Sequence, residues 1–220
     1  MTHPVFGLYA VTPDLDDTAL LLERVEAALS GGARVLQYRN KSAGAALRQA
    51  QAQALFDVCR RYRVPLIIND HLELALALDA DGLHLGDGDG SVRRARERLG
   101  PGKLLGASCY NRLDAALDAE RAGADHVAFG SFFASDSKPG AVRAPLALLR
   151  EAKQRLRLPV VAIGGVTLDN ASQVISAGAD SVAVIAALFG APDVVFAARR
   201  FQSLFSGPGE PQLPRARHAA

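Results

Sequence analysis

The sequence predicts a single α/β domain folded as a (β/α)8 barrel. Eight short apolar runs recur along the chain, and stretches with helical spacing of apolar residues separate them. Strands that are apolar along their whole length and joined by helices indicate a parallel sheet covered on its outer face. Eight such units favour closure of the sheet into a barrel. With 220 residues and 49% apolar composition, the chain is long enough to bury one substantial core.

The predicted strands follow one another along almost the whole chain. They span residues 7–11, 35–38, 65–69, 82–85, 104–107, 126–129, 160–163 and 182–185. Between them, apolar residues recur at three- and four-residue spacing, most plainly in 20–29 and 47–58, which predicts helices. Glycine in the repeated Gly-Ala-Asp motif, as at Gly123 and Gly178, is typical of a helix end just before a strand. An open doubly wound sheet is the structural alternative, but its Gly-x-Gly-x-x-Gly fingerprint does not follow the first strand.

The barrel is expected to cover residues 1–205. Residues 206–220 contain too few apolar side chains to bury, which predicts a flexible tail. Cys59 and Cys109 lack metal-ligand spacing, so we expect two reduced thiols. The amino terminus has no basic segment followed by an apolar stretch, and no apolar run approaches the roughly 20 residues that span a bilayer. We therefore expect a cytoplasmic protein with no membrane partner, and a homodimer is left open.

The charge pattern argues against a nucleic-acid partner. The net charge is only +2, and the arginines clustered between Arg93 and Arg98 are typical of a solvated helix face. Aromatic residues make up 6% of the chain and Trp is absent, so there is no obvious platform for stacking bases. A small anionic ligand suits this composition better.

One polar run at the end of the second predicted strand points to such a ligand. It reads Gln37, Tyr38, Arg39, Asn40 and Lys41. Because alternate residues of a strand point the same way, Gln37, Arg39 and Lys41 are expected to face one site. One amide and two cations at a strand end would suit a diphosphate; taken alone, the run would also suit a solvated loop.

Acidic residues end the next two predicted strands. Asn69 and Asp70 follow the third strand, and Asp87 and Asp89 follow the fourth. In a (β/α)8 barrel the loops at the carboxyl ends of the strands carry the site. Asp70 and Asp89 would supply two oxygen ligands to a Mg²⁺ ion that completes its shell with water and phosphate oxygens. For either aspartate alone, a turn or a capping role is the alternative.

Later strand ends add further candidates and a second phosphate site. Ser108 ends the fifth strand, and Ser135, Asp136, Ser137 and Lys138 follow the sixth. Gly165 follows the seventh strand, and Ile185 and Ala186 come at the end of the eighth, where such barrels commonly hold a phosphate on backbone N–H groups. The glycines would equally suit tight turns that need a positive φ. Two phosphate sites predict a transferase that joins two small molecules with diphosphate as leaving group.

The chain resembles the thiamine phosphate synthase family, and the resemblance extends from Leu8 through Ala187. Its landmarks are Leu8-Tyr9-Ala10-Val11-Thr12, Gln37-Tyr38-Arg39-Asn40-Lys41, Ile68-Asn69-Asp70, Gly82-Leu83-His84-Leu85-Gly86, Gly106-Ala107-Ser108, Lys138-Pro139-Gly140, Ile163-Gly164-Gly165 and the run from Gly178 to Ile185. The resemblance implies a Mg²⁺-dependent condensation of an aminomethylpyrimidine diphosphate with a thiazole ethyl phosphate. The products would be thiamine phosphate and diphosphate.

The resemblance also implies roles for individual residues. Residues 37–41, Asn69, Ser108 and Lys138 would hold the pyrimidine diphosphate, with Arg39, Lys41, Ser108 and Lys138 as the catalytic groups. Asp70 and Asp89 would bind Mg²⁺, and residues 135–137, Gly165, Ile185 and Ala186 would hold the thiazole phosphate. The family's reaction is dissociative: diphosphate leaves, a pyrimidine-stabilised carbocation forms, and the thiazole nitrogen attacks it.

The chain departs from the family pattern at four positions. Ser135 and Ser137 stand where threonines are frequent, which keeps the hydroxyl groups. Ala186 replaces a serine and is expected to weaken thiazole phosphate binding, and Asp87 replaces a glutamine and adds a negative charge.

Two other functions suit the same fold. One is a thiazole tautomerase, which has a histidine after the sixth strand where this chain has Ser131. The other is a barrel that binds thiazole phosphate without turnover.

Overall fold

Eight parallel strands close into a barrel in the computed structural model, which describes residues 5–86, 88–134 and 142–205. Each strand pairs with the next in chain order, and β8 pairs with β1. The predicted barrel is confirmed. The strands are β1 (Gly7–Val11), β2 (Val35–Tyr38), β3 (Leu66–Asn69), β4 (Gly82–Leu85), β5 (Leu104–Tyr110), β6 (His126–Phe129), β7 (Val160–Ile163) and β8 (Ser181–Val184).

Helices connect the strands and cover the outside of the barrel. They are α1 (Thr18–Ser30), α2 (Ala45–Tyr62), α3 (Leu72–Ala77), α4 (Val92–Leu99), α5 (Leu113–Arg121), α6 (Leu146–Arg155), α7 (Ala171–Ser176), α8 (Ala186–Phe189) and α9 (Val194–Ser203). α1 begins where the Asp17 carboxylate accepts a hydrogen bond from the Leu20 N–H, 3.0 Å away. It buries Leu21, Val25, Ala28 and Leu29, as the predicted spacing requires.

Three strands differ in length or position from the prediction. β3 begins at Leu66 because Pro65 has no N–H to donate to the sheet. β8 lies one residue earlier than predicted, at Ser181–Val184. β5 runs on to Tyr110 through a register shift between Ser108 and Tyr110, and the Gly130 N–H donates to the Tyr110 carbonyl (2.9 Å). Ser108 therefore lies within a strand rather than at its end.

The strands separate two apolar layers because successive side chains point to opposite sides of the sheet. In β1, Tyr9 and Val11 point into the barrel, where they pack with Val35, Ile67 and Val161. Leu8 and Ala10 belong instead to the larger core between the sheet and the helices. The inner layer fills the barrel, so a ligand has access only at its ends.

An aspartate directly before β4, β6 and β8 fixes the start of three strand pairs. It belongs to the Gly-Ala-Asp motif at β6 and β8, and it follows Asp79-Ala80 at β4. Asp81 precedes β4, Asp125 precedes β6 and Asp180 precedes β8. Their carboxylates accept hydrogen bonds from the backbone N–H groups of Leu66 (2.9 Å), Leu105 (2.7 Å) and Val160 (2.8 Å), each in the preceding strand. The predicted role of the glycine at the helix end is confirmed at Gly123 and Gly178, which have φ values of 95° and 115°. The aspartate adds a pairing contact that the helix-stop interpretation missed.

The first strand pair obtains the same contact from another part of the chain. Leu8 occupies the equivalent place in β1, but Arg34 stands where the other pairs have aspartate. Gln202 of α9 supplies the acceptor instead, because its Oε1 lies 2.9 Å from the Leu8 N–H. α9 thus supplies the side-chain acceptor for the first strand pair.

The two cysteines are free and buried, as predicted. Burial raises the pKa of the Cys59 thiol and of the Cys109 thiol to about 12, so both stay protonated at neutral pH. No described helix is both long and apolar enough to cross a membrane. The predicted tail, 206–220, lies outside the described residues.

Removing the Gln202 amide is expected to destabilise the barrel. Gln202→Ala leaves the buried Leu8 N–H without its acceptor, which costs about 1–3 kcal/mol. Urea unfolding of the variant measures this loss. Ser203→Ala, on the exposed side of the same helix, should stay within about 0.5 kcal/mol of the parent protein. Equal losses in the two variants would contradict the pairing role of Gln202.

Candidate active site

The predicted site residues from the first half of the chain meet at one rim of the barrel. They lie at or just beyond the carboxyl ends of β2, β3 and β4, with Ser108 near the end of β5. Parallel strands that close into a barrel bring these ends together on one face, where the sites of such barrels form. The candidate site is this rim.

Gln37 and Tyr38 point to opposite sides of β2. The Gln37 amide lies inside the barrel and donates to the Tyr9 hydroxyl (2.9 Å). Tyr38 points outward, and its hydroxyl donates to the Gln51 Oε1 of α2 (2.9 Å). This alternation is as predicted, but β2 ends at Tyr38. Strand geometry therefore does not orient Arg39 and Lys41, contrary to the sequence argument.

The loop after β1 orients these two cations instead. The buried Thr12 hydroxyl accepts a hydrogen bond from the Arg39 N–H and donates to the Arg39 carbonyl, both at 2.8 Å. The Asp14 Oδ1 accepts from the Lys41 N–H (2.8 Å) and pairs with the Arg39 guanidinium (2.9 Å). Thr12 and Asp14 hold the polar run against the barrel, and sequence reasoning missed them because their partners are 25 to 27 residues away.

Asn40 organises the loop that leads into α2. Its Oδ1 accepts from the Ser42 hydroxyl (2.9 Å) and the Ala43 N–H (3.1 Å), and its Nδ2 donates to the Leu15 carbonyl and to Gln51 (both 3.1 Å). Asn40 is buried and Tyr38 is held by the same Gln51. Both residues reach a cavity at the rim, described below, although their polar groups already have protein partners.

Asp70 and Asp89 come from neighbouring loops. Asp70 has a φ of 63°, and the turn is closed by the His71 N–H, which donates to the Asn69 carbonyl (2.7 Å). This left-handed conformation is uncommon outside glycine, and strain of this kind is frequent at functional sites. The Asp89 Oδ2 accepts from the Gly86 N–H (3.0 Å), which folds its loop back toward β4.

The neighbouring carboxylate of Asp89 affects the ionisation of Asp70. Burial raises the pKa of Asp70, and the neighbouring Asp89 raises it further, whereas Lys41 opposes the rise. The Lys41 Nζ lies 3.8 Å from the Asp70 Oδ2, and the Asp70 side chain is only 17% exposed. Because two carboxylates lie close together with one cation beside them, binding of an additional positive charge there would be favourable.

A divalent cation is one way to supply that charge. Among the described residues, no group of three or more His, Cys, Asp or Glu side chains is arranged to hold a metal. Two carboxylate ligands suit Mg²⁺, which keeps several water molecules and takes phosphate oxygens from a substrate. The donor set at Asp70 and Asp89 therefore fits a magnesium ion shared with a phosphorylated ligand, and does not fit an all-protein cage.

A cavity of about 210 Å³ opens beside Asp70 at the rim. It lies between the polar run after β2, the start of α2 and the turn after β3. Its lining residues are Tyr38, Asn40, Lys41, Arg48, Asn69, Asp70 and His71. Five of the residues predicted to bind substrate or metal thus share one recess.

A buried polar group lies deeper in the barrel, below Ser108. The His84 Nε2 is 2.9 Å from the Ser108 Oγ, and the His84 and His126 rings are 5.6 Å apart. Burial lowers the pKa of His84 to about 4, so the imidazole is neutral. Gly106 leaves room for both rings, because a Cβ there would lie 2.3 Å from the His126 Nε2. The structure therefore gives His84 a hydrogen-bonding role beside a predicted site residue.

The predicted second phosphate site lies at the ends of β7 and β8. Gly164 and Gly165 have φ values of 97° and 66°, so the tight turn proposed from the sequence is present. A Cβ on Gly165 would lie 2.2 Å from the Ala134 carbonyl oxygen, so no larger residue fits there without rearrangement. Ile185 precedes the short helix α8, which begins at Ala186. These positions lie at the same rim of the barrel as residues 37–41.

Several predicted residues lie outside the described part of the chain. They are Asp87, Ser135, Asp136, Ser137 and Lys138. Their proposed contacts with either substrate stay predictions from the sequence.

Fold and rim together define a (β/α)8-barrel enzyme that acts on phosphorylated small molecules. The family model "Thiamine monophosphate synthase" matches residues 8–188. The chain belongs to this family.

Close relatives agree with that assignment. Thiamine-phosphate synthase of Methylobacillus flagellatus is 56% identical over 203 residues, which cover 92% of this chain and 97% of the relative. Thiamine-phosphate synthase of Thiobacillus denitrificans is 55% identical over 204 residues, covering 93% and 97%. The solved structure of thiamine phosphate pyrophosphorylase from Pyrococcus furiosus is similar to this chain with a TM-score of 0.82 and 36% identity, covering 91% of this chain and 95% of that one. These findings do not favour the tautomerase and non-catalytic alternatives.

Removing the Thr12 hydroxyl is expected to loosen the polar run. Thr12→Val keeps the shape of the side chain but leaves the Arg39 N–H and carbonyl without their shared partner, so we expect a loss of about 1–3 kcal/mol in unfolding free energy. Urea unfolding measures the loss. Thr12→Ser keeps the hydroxyl group and should lose less than Thr12→Val. A larger loss in the serine variant would show that the methyl group, not the hydroxyl, is what matters.

Proposed function

We propose that this protein is a thiamine-phosphate synthase that uses Mg²⁺. It would join 4-amino-2-methyl-5-(diphosphooxymethyl)pyrimidine to a thiazole ethyl phosphate and release diphosphate. The observation that carries the proposal is the meeting of Asp70, Asp89 and Lys41 at one end of a barrel whose sequence belongs to this family. Two carboxylates for a metal beside a cation for an anion are what a metal-bound diphosphate needs.

Departure of the diphosphate is the step that the rim would assist. The bond between the pyrimidine methylene carbon and the bridging oxygen breaks, and its electron pair leaves with the diphosphate. Arg39 and Lys41 carry fixed positive charges at the rim, and Lys138 would add a third from outside the described residues. Charges held in place before the reaction stabilise the developing negative charge of the leaving group. When bound at Asp70 and Asp89, Mg²⁺ would neutralise a further part of that charge.

The second step needs orientation more than acid–base chemistry. The thiazole nitrogen donates its lone pair to the methylene carbon, and a C–N bond forms. Holding two reactants in contact removes the entropy cost of bringing them together. Gln37, Asn69 and Ser108 come from β2, β3 and β5 and would hold the pyrimidine half. Tyr9 and His84 would fix the side chains of Gln37 and Ser108.

The thiazole phosphate would bind on the opposite side of the rim. Gly165, Ile185 and Ala186 would offer backbone N–H groups, and the tight turn at Gly165 lets a phosphate approach the main chain. Residues 135–137 would add hydroxyl groups from outside the described part of the chain. The cytoplasmic location and the homodimer stay predictions.

Turnover of the purified protein tests the proposal. The protein is incubated with the pyrimidine diphosphate, the thiazole phosphate and Mg²⁺, with and without a chelator, and both products are measured. Formation of thiamine phosphate and diphosphate in equal amounts, abolished by the chelator, is the expected result. Folded protein that binds both substrates but forms neither product would refute the synthase activity.

Replacing one metal ligand is expected to shift the Mg²⁺ dependence. Asp89→Asn removes one negative charge while keeping the size of the side chain, so half-maximal turnover should require at least about tenfold more Mg²⁺, equivalent to about 1.4 kcal/mol. A Mg²⁺ titration of the initial rate measures the shift. Asp118→Asn, an exposed aspartate on α5, is the control and should titrate like the parent protein. An unchanged Mg²⁺ titration for Asp89→Asn would show that Asp89 is not a ligand of the metal.

Restoring a hydroxyl group at Ala186 is expected to tighten thiazole phosphate binding. One additional hydrogen bond is worth about 0.5–1.5 kcal/mol, so Ala186→Ser should lower the KM for the thiazole phosphate about two- to tenfold. Steady-state kinetics with saturating pyrimidine diphosphate measure it. Ala187→Ser, one residue further along α8, serves as the control. Identical KM values for Ala186→Ser and the parent would mean that the backbone alone holds the phosphate.

A further inference from the structure

The cavity beside Asp70 holds a cation that the predicted site does not include. Arg48 lies on α2, near its start, and lines the recess together with Lys41 and His71. No ion pair joins Arg48 to a carboxylate among the described residues, whereas Arg39 at the same rim is paired with Asp14. Arg48 thus brings an uncompensated positive charge to the recess.

The guanidinium of Arg48 is only partly used by the protein. Its Nη2 donates to the Ala43 carbonyl (2.5 Å), which anchors the side chain against the loop that Asn40 organises. Its Nε is buried and has no hydrogen-bond partner among the residues that the structure describes. A buried guanidinium nitrogen without a partner is costly, and an acceptor from a ligand would remove that cost.

The positive charge of Arg48 acts on another residue that lines the recess. Burial raises the pKa of Tyr38 to about 12, and the Arg48 charge opposes that rise. The recess is therefore electropositive on its α2 side and electronegative at Asp70, as a site for a metal-bound anion requires.

We propose that Arg48 binds the terminal phosphoryl group of the diphosphate substrate and of the released diphosphate. The inference rests on the proposed function. A phosphoryl group in the recess would lie next to Arg48 and Lys41, which line it together with Asp70. Arginine offers a planar fork of N–H donors that matches phosphate oxygens.

The size of the recess favours a phosphoryl group over a whole substrate. Its volume of about 210 Å³ is smaller than the roughly 300–1,000 Å³ of pockets that enclose drug-sized ligands. The rest of the pyrimidine substrate would extend along the rim toward Gln37 and Ser108. Arg48 would therefore distinguish a diphosphate from a monophosphate, because only the longer group reaches α2.

Binding of inorganic diphosphate in the presence of Mg²⁺ tests the role of Arg48. Calorimetric titration compares the parent protein with R48Q, R48K and the control R60Q, which removes the same charge from the far end of the same helix. R48Q should bind diphosphate at least tenfold more weakly than R60Q, and R48K should recover part of the loss. Binding of thiazole phosphate should be unchanged in all variants, because its proposed site lies on the opposite side of the rim.

Three results would overturn the inference. They are equal diphosphate affinities of R48Q and R60Q, weaker thiazole phosphate binding in R48Q alone, and no diphosphate binding by the parent protein. Thermal unfolding of each variant confirms that folded proteins are compared. Turnover is measured separately, so a parent protein that binds diphosphate through Arg48 but forms no thiamine phosphate would refute the synthase activity and leave the Arg48 site standing.

Discussion

Closure of the barrel by β1 and β8 is the constraint on which the rest of the structure depends. The two strands pair from Gly7 with Ser181 to Ala10 with Val184, and they bring the two ends of the barrel sequence together. Closure of the parallel sheet places the carboxyl ends of all eight strands on one rim. β1 also pairs with β2, which sets the loop after β1 against the loop after β2, where Thr12 and Asp14 hold Arg39. Without this pairing, the cations and carboxylates of the rim would have no common site.

The rim concentrates charges that the described residues alone do not balance. Burial and the neighbouring Asp89 raise the pKa of Asp70, and Arg48 enters the same recess without a carboxylate partner among the described residues. A metal-bound diphosphate would satisfy both groups at once, since it brings a cation to the carboxylates and phosphate oxygens to the arginine. Such a site stabilises a departing diphosphate by charge and needs no protein nucleophile. This agrees with the state of His84, which lies below the rim and is buried, neutral and hydrogen-bonded to Ser108.

The sequence predicted the barrel well because each strand is a local apolar run, and five of the eight strands have the predicted bounds. It also predicted the carboxylate pair, because strand ends of a barrel must meet. It did not predict Gln202 at β1 or Asp14 at Arg39, since these contacts join residues far apart in the chain. Arg48 carries no local signal, because an arginine on a helix is usually solvated. The orientation of Arg39 and Lys41 came from long-range hydrogen bonds rather than from the strand alternation that the sequence suggested.

The central claim is that Asp70 and Asp89 hold a divalent cation that also binds the diphosphate. Anomalous diffraction from a crystal of the protein grown with Mn²⁺ and diphosphate tests it most directly, because Mn²⁺ replaces Mg²⁺ at oxygen sites and scatters anomalously. We expect one anomalous peak, at a position where the Mn²⁺ ion is coordinated by both carboxylates and by diphosphate oxygens. A bound diphosphate with the metal peak away from Asp70 and Asp89 would contradict the account.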